Sequence, residues 1–570
     1  MSSTLLVALP VLIPVIGSLV GLAAWGRVRV QRAANLIASA LLLAAAVELL
    51  RRAAGGEVLV ARLGGWPSPV AITLVADVTA AIMVLLNALV AVGAAVYALG
   101  GLDRRREAAG YHPLMLGLLT SVSGAFLTAD LFNLYVWFEV MLMSSFVLLA
   151  LGGSRAQLTG ALTYVTLSLV GSMLFLAGIG LTYAMLGTLN MAHLAERLAG
   201  AEDPRLYTPV AALLLVAFLI KAAAFPFFAW LPASYHTPPP VISAVFAGLL
   251  TKVGVYVIIR FTSLMIPGAH PDAAVFAQLL TWVAGLTMVS GVLAAAAQSE
   301  IRRILSFHIV SQIGYMLMGI GVALGALAGA EAAAAAGDPE RAAALNAAGA
   351  MAMAGAVFYV LHHIVVKANL FLVAGIIERR CGSGELARIG GLTGASPRLA
   401  TLFMVPALSL AGIPVLSGFW SKFVLVRAGL AAEAWVIVGV SLLVSVMTLF
   451  SMMKIWSGAF WKPAPGTPGT GTGAAGEPAA VPAEEIARRE AEATGKAGWM
   501  EAGSAFLALV TVAIGLLAGP AIALAERGAE QLIGGAAYKD AALNRVPGAG
   551  SGGMPAEPAA AAAPSGETSP

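Results

Sequence analysis

Residues 219–256 read LIKAAAFPFFAWLPASYHTPPPVISAVFAGLLTKVGVY: two apolar runs, a proline inside the first, and a lysine deep in each. Neither Lys221 nor Lys252 lies near the end of its run, and Pro226 removes a backbone donor in the middle of the first. Runs of this kind recur along the whole chain. Of its 570 residues, 59% are hydrophobic and 11% charged, against about 25% charged in a soluble domain, which excludes a cytosolic enzyme. A helix needs about 20 apolar residues to cross the hydrocarbon core, and these runs have that length. Segments of about ten residues alternating apolar and polar, the mark of a membrane barrel, are absent. The fold class is an all-α polytopic membrane protein.

Fourteen helices are expected, near 4–25, 31–50, 71–99, 113–129, 131–151, 162–188, 209–230, 239–265, 274–298, 303–328, 347–376, 399–428, 433–457 and 500–525. The first run lacks the basic start of a signal peptide and is read as a retained span. The fourth and fifth leave room only for a tight turn at Asp130. Residues 329–346 read as a small-residue loop, 461–499 as a Pro/Gly-rich linker with a short exposed helix, 500–535 as the last span, and 536–570 as a disordered tail. Lys and Arg are more abundant in the loops after odd-numbered helices, so that face is expected to be cytoplasmic, with both termini outside.

The seventh helix is interrupted by Pro226 and the twelfth by Pro406 and Pro414. They lie five helices apart. Two consecutive five-helix units are inverted in the membrane, an arrangement whose paired broken helices mark a transport site. The expected organisation is an N-terminal segment, 1–110, a first repeat, 111–265 (helices 4–8), and a second, 266–460 (helices 9–13).

Glu139, Lys221, Lys252, Lys367 and Lys422 all fall at mid-membrane depth. Each costs about 2.5–3.5 kcal/mol on insertion scales, together about 12–18 kcal/mol, more than a typical net stability. They must face protein or water. Either they are paired crosslinks between helices, or they carry protons. A carboxylate moved toward or away from a buried lysine changes how tightly the lysine holds its proton, which suits transport. Glu139 is the mid-membrane acid of the first unit and is paired with Lys221. In YVLHHIVVKANLF (359–371), Tyr359, His363 and Lys367 recur at i, i+4 and i+8 and share a face, so His363 and Lys367 read as a relay. His362, His308 and His112 read as structural. Lys422 ends the polar series.

Other chemistries fail on inventory. His362–His363 lacks the acid and spacing of a zinc motif, the single Cys381 forms neither a disulfide nor a metal site, and there is no P-loop or dinucleotide fingerprint. No cofactor is expected. The net charge of +4 comes without a basic cluster fit for nucleic acid.

Five segments resemble one family: 130–153, DLFNLYVWFEVMLMSSFVLLALGG; 219–256; 306–321, SFHIVSQIGYMLMGIG; 362–378, HHIVVKANLFLVAGIIE; and 406–426, PALSLAGIPVLSGFWSKFVLV. The chain resembles the antiporter-like subunits shared by Mrp-type multisubunit cation/proton antiporters, respiratory complex I and membrane-bound hydrogenases, and among them the D-type subunits. The resemblance spans about residues 60–460. It implies fourteen helices with an inverted repeat and a functional series falling on Glu139, Lys221, Lys252, His363, Lys367 and Lys422. It further implies partner subunits of the A, B, C, E, F and G types and a bacterial inner cell membrane. Protons would exchange against a monovalent cation, for which the sequence offers few deep oxygen ligands: Glu139, Asp130 or Asp77, and carbonyls freed at the prolines. A proton-pumping subunit of a redox complex and a purely structural membrane subunit are the alternatives.

Overall fold

A computed structural model describes residues 2–463 and 483–545; the expected linker at 464–482 and the tail from 546 lie outside them. The chain is helical almost throughout, because a backbone in lipid must satisfy its hydrogen bonds within each segment. Twelve helices among the described residues are long and apolar enough to cross a bilayer, and two shorter apolar helices, Tyr111–Leu127 and Pro397–Ala411, accompany them.

Burial divides these helices into centre and rim. The most apolar stretches of Pro240–Leu264 and Pro339–Cys381 are buried in full. Arg155–Leu186, Ala273–Ala297 and Trp435–Trp456 instead present Leu162, Met173, Trp282, Leu293 and Val446 outward, as rims facing lipid or partner subunits do. The central pair carries Lys252, His363 and Lys367. Placing the most polar residues on the most buried helices is affordable only if those residues serve each other or water.

Capping fixes several boundaries. Asp130 accepts from the amide of Asn133 at 2.8 Å and starts Leu131–Ala150. Asp77 does the same for Val78–Gly101 through Ala80 N, also at 2.8 Å. The third helix therefore starts at Val78, not near 71: residues Thr73–Ala76 form β2, paired antiparallel with β1 (Leu59–Arg62) in the register Leu59 opposite Ala76.

Three further expectations are corrected. The supposed loop at 329–346 is helical on both sides of a short turn, since Ile301–Ala335 and Pro339–Cys381 nearly meet; its alanines are strong helix formers. The exposed helix before the last span is continuous with it in Ala483–Leu516, and Ala518–Gly534 follows after a break. The tail begins with an ordered helix, Ala536–Leu543, whose Tyr538 is buried.

Both proline interruptions are present. Thr208–Ala222 stops one residue past Lys221, with Ala223 in the left-handed region, and the chain resumes helically at Phe227. Pro406 is absorbed inside Pro397–Ala411, and the break falls around Pro414, at Gly412–Leu416, where Gly412 has φ +92° and Val415 φ +75°, before Ser417–Ala431.

Candidate functional site

Glu139 and Lys221 project from neighbouring elements of the first half. Ser172 Oγ donates to Glu139 Oε1 at 2.5 Å, and the Lys221 ammonium lies 5.0 Å from the centre of the Phe138 ring. The two charges act on each other electrostatically without forming a direct ion pair among the described residues. Lys221 and Ser172 line a shared cleft of about 10 Å³, room for about one water.

Lys252 follows a π-helical turn, Phe246–Leu250, a distortion common at working sites. Its ammonium donates to the carbonyl of Ala247 in that turn. Close packing brings its helix against the break at Lys221: a Cβ on Gly254 would lie 2.6 Å from Ala222 N and 2.9 Å from Lys221 C, so only glycine fits there.

The centre of the second half is built on Pro339–Cys381. Lys367 Nζ donates to Leu305 O at 3.3 Å. His363, wholly buried, lies in electrostatic reach of Lys252, Lys367, His362 and His308, and both its ring nitrogens lack a protein partner among the described residues. The Tyr359 hydroxyl donates to Gln312 Oε1 at 2.5 Å, and its ring stacks on Tyr315 at 5.1 Å. Lys422 reaches this group from the other side, its ammonium 5.2 Å from the Tyr315 ring centre. It donates to Leu410 O and Ala411 O, both at 3.1 Å. Those carbonyls end Pro397–Ala411, where the helix dipole favours a cation.

A common feature emerges. An ammonium has three donors; Lys252, Lys367 and Lys422 spend theirs on one, one and two main-chain carbonyls, and none meets a carboxylate among the described residues. Their protein partners among the described residues are carbonyl dipoles and, for Lys422, the Tyr315 ring.

His308 is the residue that sequence reasoning missed. It is wholly buried on Ile301–Ala335, feels the charges of Lys367 and Lys422, and neither ring nitrogen has a protein partner among the described residues. His112, read the same way from sequence, is a satisfied structural residue, bonded to Asn35 at 3.1 Å and Glu107 at 3.3 Å. His362 falls between, with Nδ1 on Ser417 Oγ at 2.8 Å and Nε2 unpaired among the described residues. The available signal for His308 was its spacing from Ser311 and Gln312 at i+3 and i+4, which puts polar groups on one helix face.

The suggested oxygen ligands do not converge. Asp130 spends its carboxylate on capping and lies nine residues, about 13 Å along the axis, from Glu139. Asp77 is paired with Arg260 at 2.6 Å. No group of three or more His, Cys, Asp or Glu suited to a metal ion occurs among the described residues.

Buried ionisable residues strung through the centre of a helical bundle, two of them beside helix breaks, place the protein among membrane subunits built on discontinuous helices. More particularly, the chain belongs to the family described as NADH:quinone oxidoreductase/Mrp antiporter, transmembrane region, whose profile matches residues 128–336 and 342–448. It is 42% identical over 457 residues to the D-type subunit of the Na(+)/H(+) antiporter of Alkalihalophilus pseudofirmus, covering 80% of this chain and 87% of that one. The corresponding protein of Bacillus subtilis is 36% identical over 456 residues with the same coverage. Among solved structures it is similar to a chain of the Mrp complex from a Dietzia species, with a TM-score of 0.80 and 31% identity over 95% of this chain and all of that one. A chain of respiratory complex I from Thermus thermophilus shares the fold, with a TM-score of 0.71 at 23% identity over 92% and 99% of the two chains.

Proposed function

We propose that the chain is the proton-translocating subunit of a Mrp-type multisubunit antiporter that exchanges protons for sodium or another monovalent cation. Its partners are the other antiporter subunits, and it is a secondary transporter component without a cofactor of its own. The observation that carries the reading is the buried cluster Lys252, His363, Lys367 and His308, four titratable groups joined through His363, which lies in electrostatic reach of the other three, with no carboxylate among them. Ammonium groups so placed repel, so loading a proton on one favours its release from the next. Imidazoles between them supply groups that accept and donate.

The path runs Glu139–Lys221–Lys252–His363–Lys367–Lys422, with His308 between Lys367 and Lys422. Glu139, held by Ser172, sets how readily Lys221 releases its proton toward Lys252. The two halves, 111–265 and 266–460, are read as inverted repeats, in a bacterial inner membrane with both termini outside. With few deep oxygen ligands on this chain, the cation path lies partly in partner subunits. The test is reconstitution of the intact complex in vesicles, recording internal pH on adding Na+, K+ or Li+. Cation-dependent proton movement that survives in full when Lys221 and Glu139 are each replaced by alanine would assign these charges a structural role.

A further inference from the structure

A cavity of about 670 Å³ opens at one end of the central helices, large enough for tens of waters at about 30 Å³ each. Its walls come from the end of Val78–Gly101, the start of the Lys252 segment at Pro240, Glu300 and Arg302 at the start of the His308 helix, and Glu378 at the end of the Lys367 helix. All these ends lie on the face richer in Lys and Arg. Inward it reaches Tyr97 and Gly375, where a Cβ on Gly375 would lie 2.5 Å from the Tyr97 hydroxyl. That hydroxyl donates to Leu372 O at 3.1 Å. Leu372 is five residues from Lys367, about 7.5 Å along the axis. Glu378 is eleven residues from Lys367, about three full turns, so acid and lysine share one stripe.

The chemistry at the mouth is selective. Arg302 Nε donates to Glu378 Oε1 at 2.5 Å and its Nη1 to Pro238 O at 2.7 Å, so Glu378 already carries a cationic partner and is a poor seat for an alkali ion. Glu300 stands beside it: a Cβ on Gly384 would lie 3.1 Å from Glu378 Oε1 and 3.2 Å from Glu300 Oε1. Burial pushes the Glu300 carboxyl up, opposed by Arg302 and reinforced by Glu378, with the amides of Arg302 and Arg303 also bonded to it. The other end of the Lys252 helix is closed. There Tyr256 OH donates to Phe126 O at 2.7 Å, Arg260 Nε donates to Tyr256 at 2.9 Å, and the buried Arg260–Asp77 pair lies beneath the Tyr538 ring.

We propose that this cavity is the proton intake for the Lys252–Lys367 cluster, with Glu300 as the collecting carboxylate and the Arg302–Glu378 pair shaping its mouth. A proton passes from bulk water to Glu300 and by water past Tyr97 to the Lys367 amine; no other reactant is needed. The inference rests on the transport reading above, and its test separates the two.

In the assembled complex, Ser383→Cys is made in a Cys381→Ser background, placing a thiol on the cavity wall. Vesicles of known orientation are treated with a bulky, membrane-impermeant methanethiosulfonate reagent. The thiol should label from the cavity face, cation-dependent proton flux should fall roughly tenfold, and dithiothreitol should restore it. Glu300→Gln should slow flux several-fold, and Glu300→Asp should recover most of it. A thiol that cannot be labelled, or full labelling with unchanged flux, overturns the intake. If Lys367→Met abolishes flux in the same vesicles while the labelled complex transports normally, the intake alone falls; if Lys367→Met also transports normally, the transport reading falls with it.

Discussion

The two halves of the molecule solve the buried-lysine problem differently. In the first, Lys221 has a carboxylate in electrostatic reach, Glu139, fastened by Ser172. In the second, Lys367 and Lys422 donate to main-chain carbonyls and meet no carboxylate among the described residues, and His363 lies in electrostatic reach of Lys367. A carboxylate partner stabilises the charged state of a lysine and changes it when it moves; a carbonyl dipole holds the ammonium less strongly, which on the proposed reading suits onward transfer. On the proposed transport reading, the first arrangement acts as a switch and the second as a conductor.

The largest effect is expected in the conductor. Lys252 lies in the first half but, like Lys367, donates to a main-chain carbonyl and meets no carboxylate among the described residues, so it groups with the conductor. Lys252→Met keeps the side-chain bulk, removes the titratable group and should lower cation-dependent proton flux by about a hundredfold or more, the scale of losing a proton-transfer group. Vesicle pH recordings normalised to assembled complex would show it. In the switch, Glu139→Gln should cost about tenfold and Glu139→Asp less, because charge and position are lost separately. If Glu139→Gln proved as severe as Lys252→Met, the distinction between switch and conductor would fail.

His308→Ala should reduce flux several-fold with little change in complex yield, whereas His112→Ala should lower yield and leave flux per complex unchanged. Ser172→Ala removes one hydrogen bond, worth about 1 kcal/mol, and should cost about fivefold or less. Smallest in flux is Arg260→Met. It strands the buried Asp77 charge at about 3–5 kcal/mol, so the loss should appear in thermal stability of the complex, not in transport per molecule.

Much of this was legible in sequence, for physical reasons. Lipid demands long apolar runs, so the spans announce themselves, and a lysine at mid-depth stands out against them. The proline breaks were visible too: Pro414 marked the second one correctly, while Pro406 misled, because a helix accommodates a proline where neighbouring groups take up the freed carbonyl. Small-residue composition at 329–346 looked like loop because alanine is common in both loops and helices. The hairpin before Asp77 escaped a window of about 19 residues, which averages over strands as short as Leu59–Arg62 and Thr73–Ala76. The Lys252–Tyr256–Arg260 series has the same i, i+4, i+8 spacing that identified Tyr359–His363–Lys367, yet its partner Asp77 lies far away in sequence, and only the fold joins them. His308 was lost because a lone histidine in an apolar run gives no indication of whether its nitrogens are paired.

The most direct test is Lys367→Met in the intact, reconstituted complex. The substitution preserves bulk and removes the titratable amine from the buried cluster. The account predicts a complex that assembles at the parent's yield and shows no pH change when sodium is added. Full assembly with a sodium-dependent pH change equal to the parent's would contradict it.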